Sequence, residues 1–189
     1  MTNLIYLIGR SGTGKYTIAK ELSKQGYVIV DNQLINNPIF SLLKTEALNS
    51  SLTVPLEAWN AIGKIRDIVF EFMAQEKSNN YILTNELFET DEGDHRLFNQ
   101  VKDMATKRGS IFLPVKLLIS KQENAKRISS PGRAELYKST KIDEKDINKE
   151  LIKISHPNLL EIDVSDLSAQ EVAKVITEKI NNARFISIH

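Results

Sequence analysis

Two kinds of hydrophobic pattern alternate along the chain. Short continuous apolar runs, typical of buried strands, are separated by longer segments in which apolar residues recur every three or four positions, as in amphipathic helices. Strands that alternate with helices form a parallel sheet covered by helices on both faces. The pattern therefore predicts an α/β three-layer sandwich with a five-stranded parallel sheet, its strands at residues 4–8, 27–30, 81–84, 111–119 and 158–163.

The predicted helices differ in how clearly the sequence marks their ends. The least regular part, residues 33–60, predicts one or two short helices interrupted near Pro38. Ser168 and Glu171 form a capping box that opens the last helix. Long helices are predicted at residues 55–77, 95–107 and 143–154, with shorter ones after residue 15 and at 121–128.

Between the first strand and the first helix, the segment Gly9–Lys15 reads G-x-x-x-x-G-K. Its glycines allow the backbone to curl so that successive N–H groups point into one cavity, and the helix start adds partial positive charge. A lysine at the end of such a loop reaches the outer phosphates of a nucleotide. The motif predicts a nucleoside triphosphate site built from Gly9, Arg10, Ser11, Gly12, Thr13, Gly14 and Lys15.

The residue after this lysine departs from the usual motif. That place normally holds Ser or Thr, whose hydroxyl binds Mg²⁺, whereas this chain has Tyr16 followed by Thr17. A phenol is too long to replace a serine hydroxyl in the same pose. The sequence therefore leaves open how Mg²⁺ is held, with Thr17 and Asp31 as the two candidates.

Polar residues follow the second and third predicted strands, where parallel strands meet at one sheet edge. Asp31 ends the second strand, and Asn85 and Glu86 follow the third. Ligands of open α/β sheets bind at this edge, so we expect these side chains to orient a metal or an acceptor group. The alternative for Asp31 is that it only caps the next helix.

A basic segment after the fourth strand has the composition of a mobile lid. Arg127 lies near a helix end, where its planar guanidinium could cover a nucleotide base, and Arg133 follows the hinge-like Pro131-Gly132. We expect a lid at about residues 129–142. The alternative is a solvated polar helix face. Thr140-Lys-Ile-Asp143 matches a guanine-recognition box, but no buried strand precedes it, so we reject that interpretation.

Composition narrows the possible functions further. The chain of 189 residues has 25 basic and 24 acidic residues and a net charge of +1, which does not favour nucleic acid or an anionic membrane as partner. With no cysteine, disulfides, cysteine-ligated metals and a cysteine nucleophile are excluded. No apolar run approaches the roughly 20 residues needed to cross a bilayer. We expect a single cytoplasmic domain over residues 1–189, and nothing in the sequence indicates its oligomeric state.

Several of these stretches together resemble a known family. The loop with its flanks, GRSGTGKYTIAKEL, the strand ending in Asp31, the segment 124–128 followed by Arg133, and the closing NLLEIDVSDLSAQEVAKVI are similar to small P-loop kinases of the shikimate, gluconate and adenylate kinase group. The resemblance implies the P-loop nucleoside triphosphate hydrolase fold, a substrate-binding region at about 32–60, a short lid, ATP and Mg²⁺. By position it implies that Asp31 is the substrate or base carboxylate, Arg127 the base-stacking residue and Arg133 the lid arginine.

The chain also departs from the shikimate kinase pattern. Asp31-Asn32-Gln33 stands where an Asp-x-Asp is expected, and Thr84-Asn85-Glu86 replaces a glycine triplet. Adenylate kinases carry glycine at the place of Tyr16, and in that pattern Thr17 contacts the inner phosphates.

The sequence as a whole predicts an ATP-dependent kinase acting on a hydroxyl group of an unidentified small molecule. Its expected catalytic residues are Lys15, Asp31 and Arg133. The alternative, motivated by Tyr16, is a nucleotide-binding module or regulatory ATPase-like protein with little phosphotransfer.

Overall fold

The computed structural model describes residues 1–43, 54–129 and 149–186. The strands are β1 (Asn3–Gly9), β2 (Tyr27–Asp31), β3 (Asn80–Asn85), β4 (Ile111–Leu118) and β5 (Leu160–Asp163). The helices are α1 (Lys15–Ser23), α2 (Asn32–Phe40), α3 (Leu56–Gln75), α4 (Glu92–Arg108), α5 (Lys121–Ile128) and α6 (Ala169–Ile186).

The five strands form one parallel sheet in the order β2-β3-β1-β4-β5, which confirms the predicted fold class. The register sets the ends of the first three strands side by side. Asp31 of β2 pairs with Thr84 of β3, and the next β3 residue, Asn85, pairs with Ile8 of β1. One edge of the sheet therefore brings together Gly9, where the glycine-rich loop begins, and the predicted polar residues.

The two faces of the sheet bury separate hydrophobic cores. Along β1, Leu4, Tyr6 and Ile8 pack into a core shared with α2, α3 and α4, whereas Ile5 and Leu7 pack into a core shared with α1 and α6. All five side chains are fully buried. A strand covered on both faces is apolar at every position, which explains the continuous run in the sequence. Each fully buried large aliphatic side chain contributes about 1.5–3 kcal/mol to stability.

The interruption predicted near Pro38 is wrong. Helix α2 continues through Pro38 and ends at Phe40, and the N–H of Ser41 still donates to the carbonyl of Asn37 at 2.9 Å. Asp31 caps the start of this helix, and Ile35 and Phe40 are buried in the core. Packing of one helix face outweighs the single backbone bond that a proline removes.

The prediction of a helix over residues 143–154 is also wrong, as far as the described residues 149–154 test it. Residues 149–154 are not helical and instead run beside the segment after β3. The N–H of Ile152 donates to the carbonyl of Leu87 at 3.0 Å, and that of Glu89 donates to the carbonyl of Glu150 at 3.0 Å. These bonds and the burial of Ile152 fix an extended strip. The first part of the predicted helix, residues 143–148, lies outside the described residues.

Candidate functional site

The glycine-rich loop between β1 and α1 forms a tight turn held by its own backbone. Gly12 and Gly14 have φ angles of 91° and 82°, in the left-handed region that favours glycine. The carbonyl of Arg10 accepts from both the N–H and the hydroxyl of Thr13, at 3.2 Å and 2.8 Å. Because Thr13 is buried and its hydroxyl is used in this turn, its side chain stabilises the loop.

Lys15, the first residue of α1, folds back across this loop. Its ammonium donates to the carbonyl of Gly9 at 2.5 Å and to that of Arg10 at 3.0 Å. The positive charge is thus held against the loop that the motif assigns to phosphate groups. The side chain is partly buried, so water screens its charge less than on an open surface.

Helix α5 closes one side of the loop through Asn124, a residue to which the sequence analysis gave no role. The amide of Asn124 is buried and donates to the carbonyl of Ser11 at 2.6 Å. A Cβ on Gly12 would lie only 2.6 Å from the same amide nitrogen. Glycine is therefore required at position 12 both for its φ angle and for this close approach.

The second and third residues of the loop contact the chain after β3. The hydroxyl of Ser11 donates to a carboxylate oxygen of Glu86 at 3.0 Å. The guanidinium of Arg10 donates to the carbonyl of Lys149 and lies 5.6 Å from the centre of the Phe88 ring. These contacts link the loop to the extended strip at residues 149–154 as well as to the edge of the sheet.

Tyr16 and Thr17 lie in the first turn of α1, and both are exposed. The ammonium of Lys20, one turn further along the helix, lies 5.7 Å from the centre of the Tyr16 ring. Cations at this distance are attracted by the face of an aromatic ring. That Thr17 or Asp31 holds Mg²⁺ stays a prediction.

Asp31 uses its two carboxylate oxygens in different ways. One accepts from the N–H of Gln33 at 2.9 Å and so caps α2. The other accepts from the hydroxyl of Thr84 at 3.1 Å. Because Thr84 is buried, this second bond fixes the carboxylate at the end of β2.

A hydrogen-bonded chain that begins at the buried Tyr6 and ends at the half-buried Asn32 lies beside this carboxylate. The hydroxyl of Tyr6 donates to Asn85 at 3.1 Å, and the amide of Asn85 donates to Asn32 at 3.0 Å. Burial raises the pKa of Tyr6, and the positive charge of Arg66 partly opposes that rise. Sequence reasoning missed Tyr6 because it lies in an apolar strand.

Asp94, in the first turn of α4, is an acidic group near this edge with a raised pKa. Its partial burial, together with the nearby charges of Asp91 and Glu86, raises the pKa to about 6, although a hydrogen bond from the N–H of Phe88 at 2.7 Å opposes the rise. The group therefore changes charge close to neutral pH.

Arg127 bridges α5 to the end of β5. Its guanidinium donates to Glu123 at 2.8 Å and to the carbonyls of Val164 and Ser165 at 2.9 Å and 3.1 Å. The bond from Arg127 holds the pKa of Glu123 below its usual value. These bonds hold Arg127 next to the end of β5, and its predicted role in covering a nucleotide base stays a prediction. Arg133 and all of the predicted lid except Ser129 lie outside the described residues.

The described residues contain neither a ready-made metal cluster nor a membrane-spanning helix. In residues 1–43, 54–129 and 149–186, no group of three or more His, Cys, Asp or Glu side chains is arranged to hold a metal ion. In the same ranges, no helix is both long enough and apolar enough to cross a bilayer.

Comparison of the amino-acid sequence with protein-family models and with curated proteins gave no match.

Solved structures, in contrast, match over almost the whole length. A gluconokinase from Sinorhizobium meliloti superposes with a TM-score of 0.60 at 14% identity, covering 98% of this chain and 96% of that one. An APS kinase from Mycobacterium tuberculosis, solved with AMPPNP and APS, superposes with a TM-score of 0.59 at 11% identity, covering 95% of this chain and 98% of that one. A shikimate kinase from Acinetobacter baumannii, solved with shikimate, superposes with a TM-score of 0.55 at 13% identity, covering 97% of this chain and 95% of that one. The chain therefore has the fold of the small P-loop kinases.

Proposed function

We propose that this protein is an ATP-dependent kinase that transfers a phosphoryl group to a hydroxyl group of a small molecule. The observation that carries the proposal is the position of Lys15, whose ammonium lies over the glycine-rich loop at the sheet edge that also holds Asp31. Phosphoryl transfer needs positive charge on the transferring group and a polar group that orients the acceptor. The fold, which kinases with nucleotide and small-molecule ligands share, supports this proposal.

The residues of the loop would divide the work of binding ATP. The backbone N–H groups around Gly12 and Gly14, together with the start of α1, would bind the phosphates. Lys15 would leave the carbonyls of Gly9 and Arg10 to neutralise the outer phosphates. The hydrogen bonds of Arg127 to Glu123 and Val164 hold its guanidinium just beyond the end of β5, where its planar face would cover the base.

The acceptor would bind at the ends of β2 and β3. Asp31 would accept the proton of the attacking hydroxyl group or orient it, and its bond from Thr84 keeps the carboxylate in place for either role. Asn85, held between Tyr6 and Asn32, would support the acceptor. Arg133 would contribute charge to the phosphoryl group, as the resemblance implies.

The oxygen atoms near the glycine-rich loop fit a magnesium ion that arrives bound to ATP. Tyr16 offers no Ser or Thr hydroxyl at the usual position, but Glu86 contacts the loop, Asp31 lies at the same edge of the sheet, and Thr17 is exposed in the first turn of α1. These oxygens are the hard ligands that Mg²⁺ prefers, directly or through water. Bound Mg²⁺ would supply positive charge to the phosphates.

The first test is removal of the Lys15 charge. We expect Lys15→Ala to lower the rate of ADP formation by at least about a hundredfold, measured with ATP, Mg²⁺ and a panel of hydroxylated compounds, because one preorganised charge at the reacting group is lost. Lys24→Ala is the matched control, since Lys24 lies just beyond the other end of the same helix and is exposed. Transfer at the normal rate by Lys15→Ala would overturn the proposal.

A nucleotide-binding module with little phosphotransfer is the second candidate. The exposed Tyr16, turned toward Lys20, favours it because no hydroxyl stands at the usual metal position. Titration with ATP in the presence and absence of Mg²⁺, followed by turnover against the same panel, separates the two. Tight binding without turnover would favour the module.

A further inference from the structure

Helix α2 concentrates buried polar atoms that lack partners. Among the residues that the structure describes, three buried side-chain atoms make no hydrogen bond: Oε1 of Gln33, Oδ1 of Asn36 and Oδ1 of Asn37. All three are amide oxygens on one helix. A buried acceptor without a donor destabilises the folded state, so each case requires an explanation.

Asn36 is the most informative of the three because only 4% of it is exposed. Residues four apart lie on one face of a helix, so Asn36 shares its face with Asn32 and Phe40. Asn32 accepts from Asn85 at the end of β3, and Phe40 packs edge-on against Trp59 of α3, with ring centres 5.6 Å apart. Asn36 therefore lies between the candidate site and α3.

We infer that Asn36, with Gln33 and Asn37, lines the acceptor pocket and selects a polyhydroxylated molecule that is uncharged where it meets α2. The inference rests on the proposed kinase function, which places the acceptor beside Asp31, the cap of this helix.

The chemistry of the three atoms defines the ligand. An amide oxygen only accepts hydrogen bonds, so a ligand that satisfies these atoms must donate them. Hydroxyl groups donate, and a kinase acceptor carries at least one. A neutral amide cannot balance a ligand charge, and burying an unbalanced charge is unfavourable, so the part of the ligand at α2 is uncharged.

A substitution distinguishes this role from a packing role. Asn36→Leu replaces the amide with an apolar side chain of similar size, so the unpaired oxygen disappears and the unfolding temperature without ligand should stay the same or rise. If the amide only fills space, binding and turnover will not change. Asn99→Leu, the same exchange at an exposed position of α4, is the matched control.

The binding test uses the nucleotide-free protein. Thermal unfolding is followed with millimolar sorbitol, glucose or myo-inositol, each paired with its fully O-methylated derivative, which has no hydroxyl donor. We expect at least one polyol to raise the unfolding temperature, and its methylated partner to have no effect. Asn36→Leu should weaken that binding by about tenfold or more, and Asn99→Leu should leave it unchanged. Absence of any polyol effect, or full binding by Asn36→Leu, overturns the inference.

Turnover then separates this inference from the proposed function. If the polyol binds but ATP is not consumed, the kinase proposal fails and the pocket assignment stands. If ATP is consumed and Asn36→Leu keeps the KM of the unaltered protein for the polyol, the pocket assignment fails and the kinase proposal stands.

Discussion

Asp31 caps a helix in the structure and is also the carboxylate that we propose acts on the acceptor. Its first oxygen caps α2, and its second accepts from Thr84 at the sheet edge. The capping role and the proposed chemical role can be separated by asparagine. It caps a helix as effectively as aspartate does, but it is not a base and carries no negative charge.

We therefore expect Asp31→Asn to keep the cap of α2 and to lower kcat by about 10²–10⁴-fold, the usual contribution of a general base. Asp31→Ala should lose the activity and, in addition, about 1 kcal/mol of stability through the missing cap. Initial rates of ADP formation and urea unfolding measure the two effects. Full turnover by Asp31→Asn would leave capping as the only role of this residue.

At the scale of the elements, Arg108 joins the ends of α3 and α4 at the edge opposite the candidate site. Only 4% of it is exposed. Its guanidinium donates to the carbonyls of Met73 and Glu76 and to that of Asn79 at 2.8 Å, and lies 4.6 Å from the centre of the Tyr81 ring. One side chain thus satisfies backbone groups that the end of α3 leaves unpaired.

We expect Arg108→Ala to lower the free energy of unfolding by about 3–5 kcal/mol, because buried carbonyls lose their donors. The exposed neighbour Lys107 provides the control, and Lys107→Ala should change stability by no more than about 0.5 kcal/mol. Urea unfolding measures the free energy of unfolding of both variants, and the affinity for ATP should not change in either. Equal stability of the two variants would contradict this role of Arg108.

The elements that the sequence predicts well are those marked by local signals. The α6 capping box forms, with the Ser168 hydroxyl and the Glu171 carboxylate each bonded to the other's backbone N–H, at 3.2 Å and 2.8 Å. Gly109 ends α4 with a φ angle of 67°, as its place after the helix predicts. Such signals act within a few residues, so one sequence is enough to interpret them.

The contacts that complete the candidate site were not predictable in the same way. Ser11 meets Glu86 across 75 positions, and Asn124 meets Ser11 across 113. The sequence shows which strands end in polar residues, but the register that sets Asn85 beside Tyr6 follows from packing of the whole sheet. The amides of α2 resemble an exposed polar face until the fold buries them.

At the scale of the whole molecule, the candidate site draws on both faces of the sheet. The glycine-rich loop leads into α1, which packs on one face with α6. The register puts Asp31 and Thr84 on this face too, because Thr84 pairs with Leu7. Asn85 lies on the other face, where Tyr6 packs with α2, α3 and α4. The central strand β1 contributes to both cores, so the candidate nucleotide and acceptor regions meet at its end.

The last prediction concerns how global stability depends on pH. Burial raises the pKa of Asp94 from 3.8 to about 6, so the folded protein binds a proton more tightly there than the unfolded chain does. A raised acid pKa stabilises the fold below the unfolded value, and that contribution is lost as pH rises through the window from 3.8 to about 6. Above this window, the folded state holds a partly buried charge.

Asp94→Asn stays neutral at every pH and keeps an oxygen for the N–H of Phe88. We expect the variant to match the unaltered protein in free energy of unfolding near pH 3.8 and to become the more stable of the two as pH rises to about 6, with a constant difference above that. Asp103→Asn, at an exposed position of the same helix, should show no pH-dependent difference. Urea unfolding across this range is the measurement, and a difference that did not change with pH would show that Asp94 does not titrate in this window.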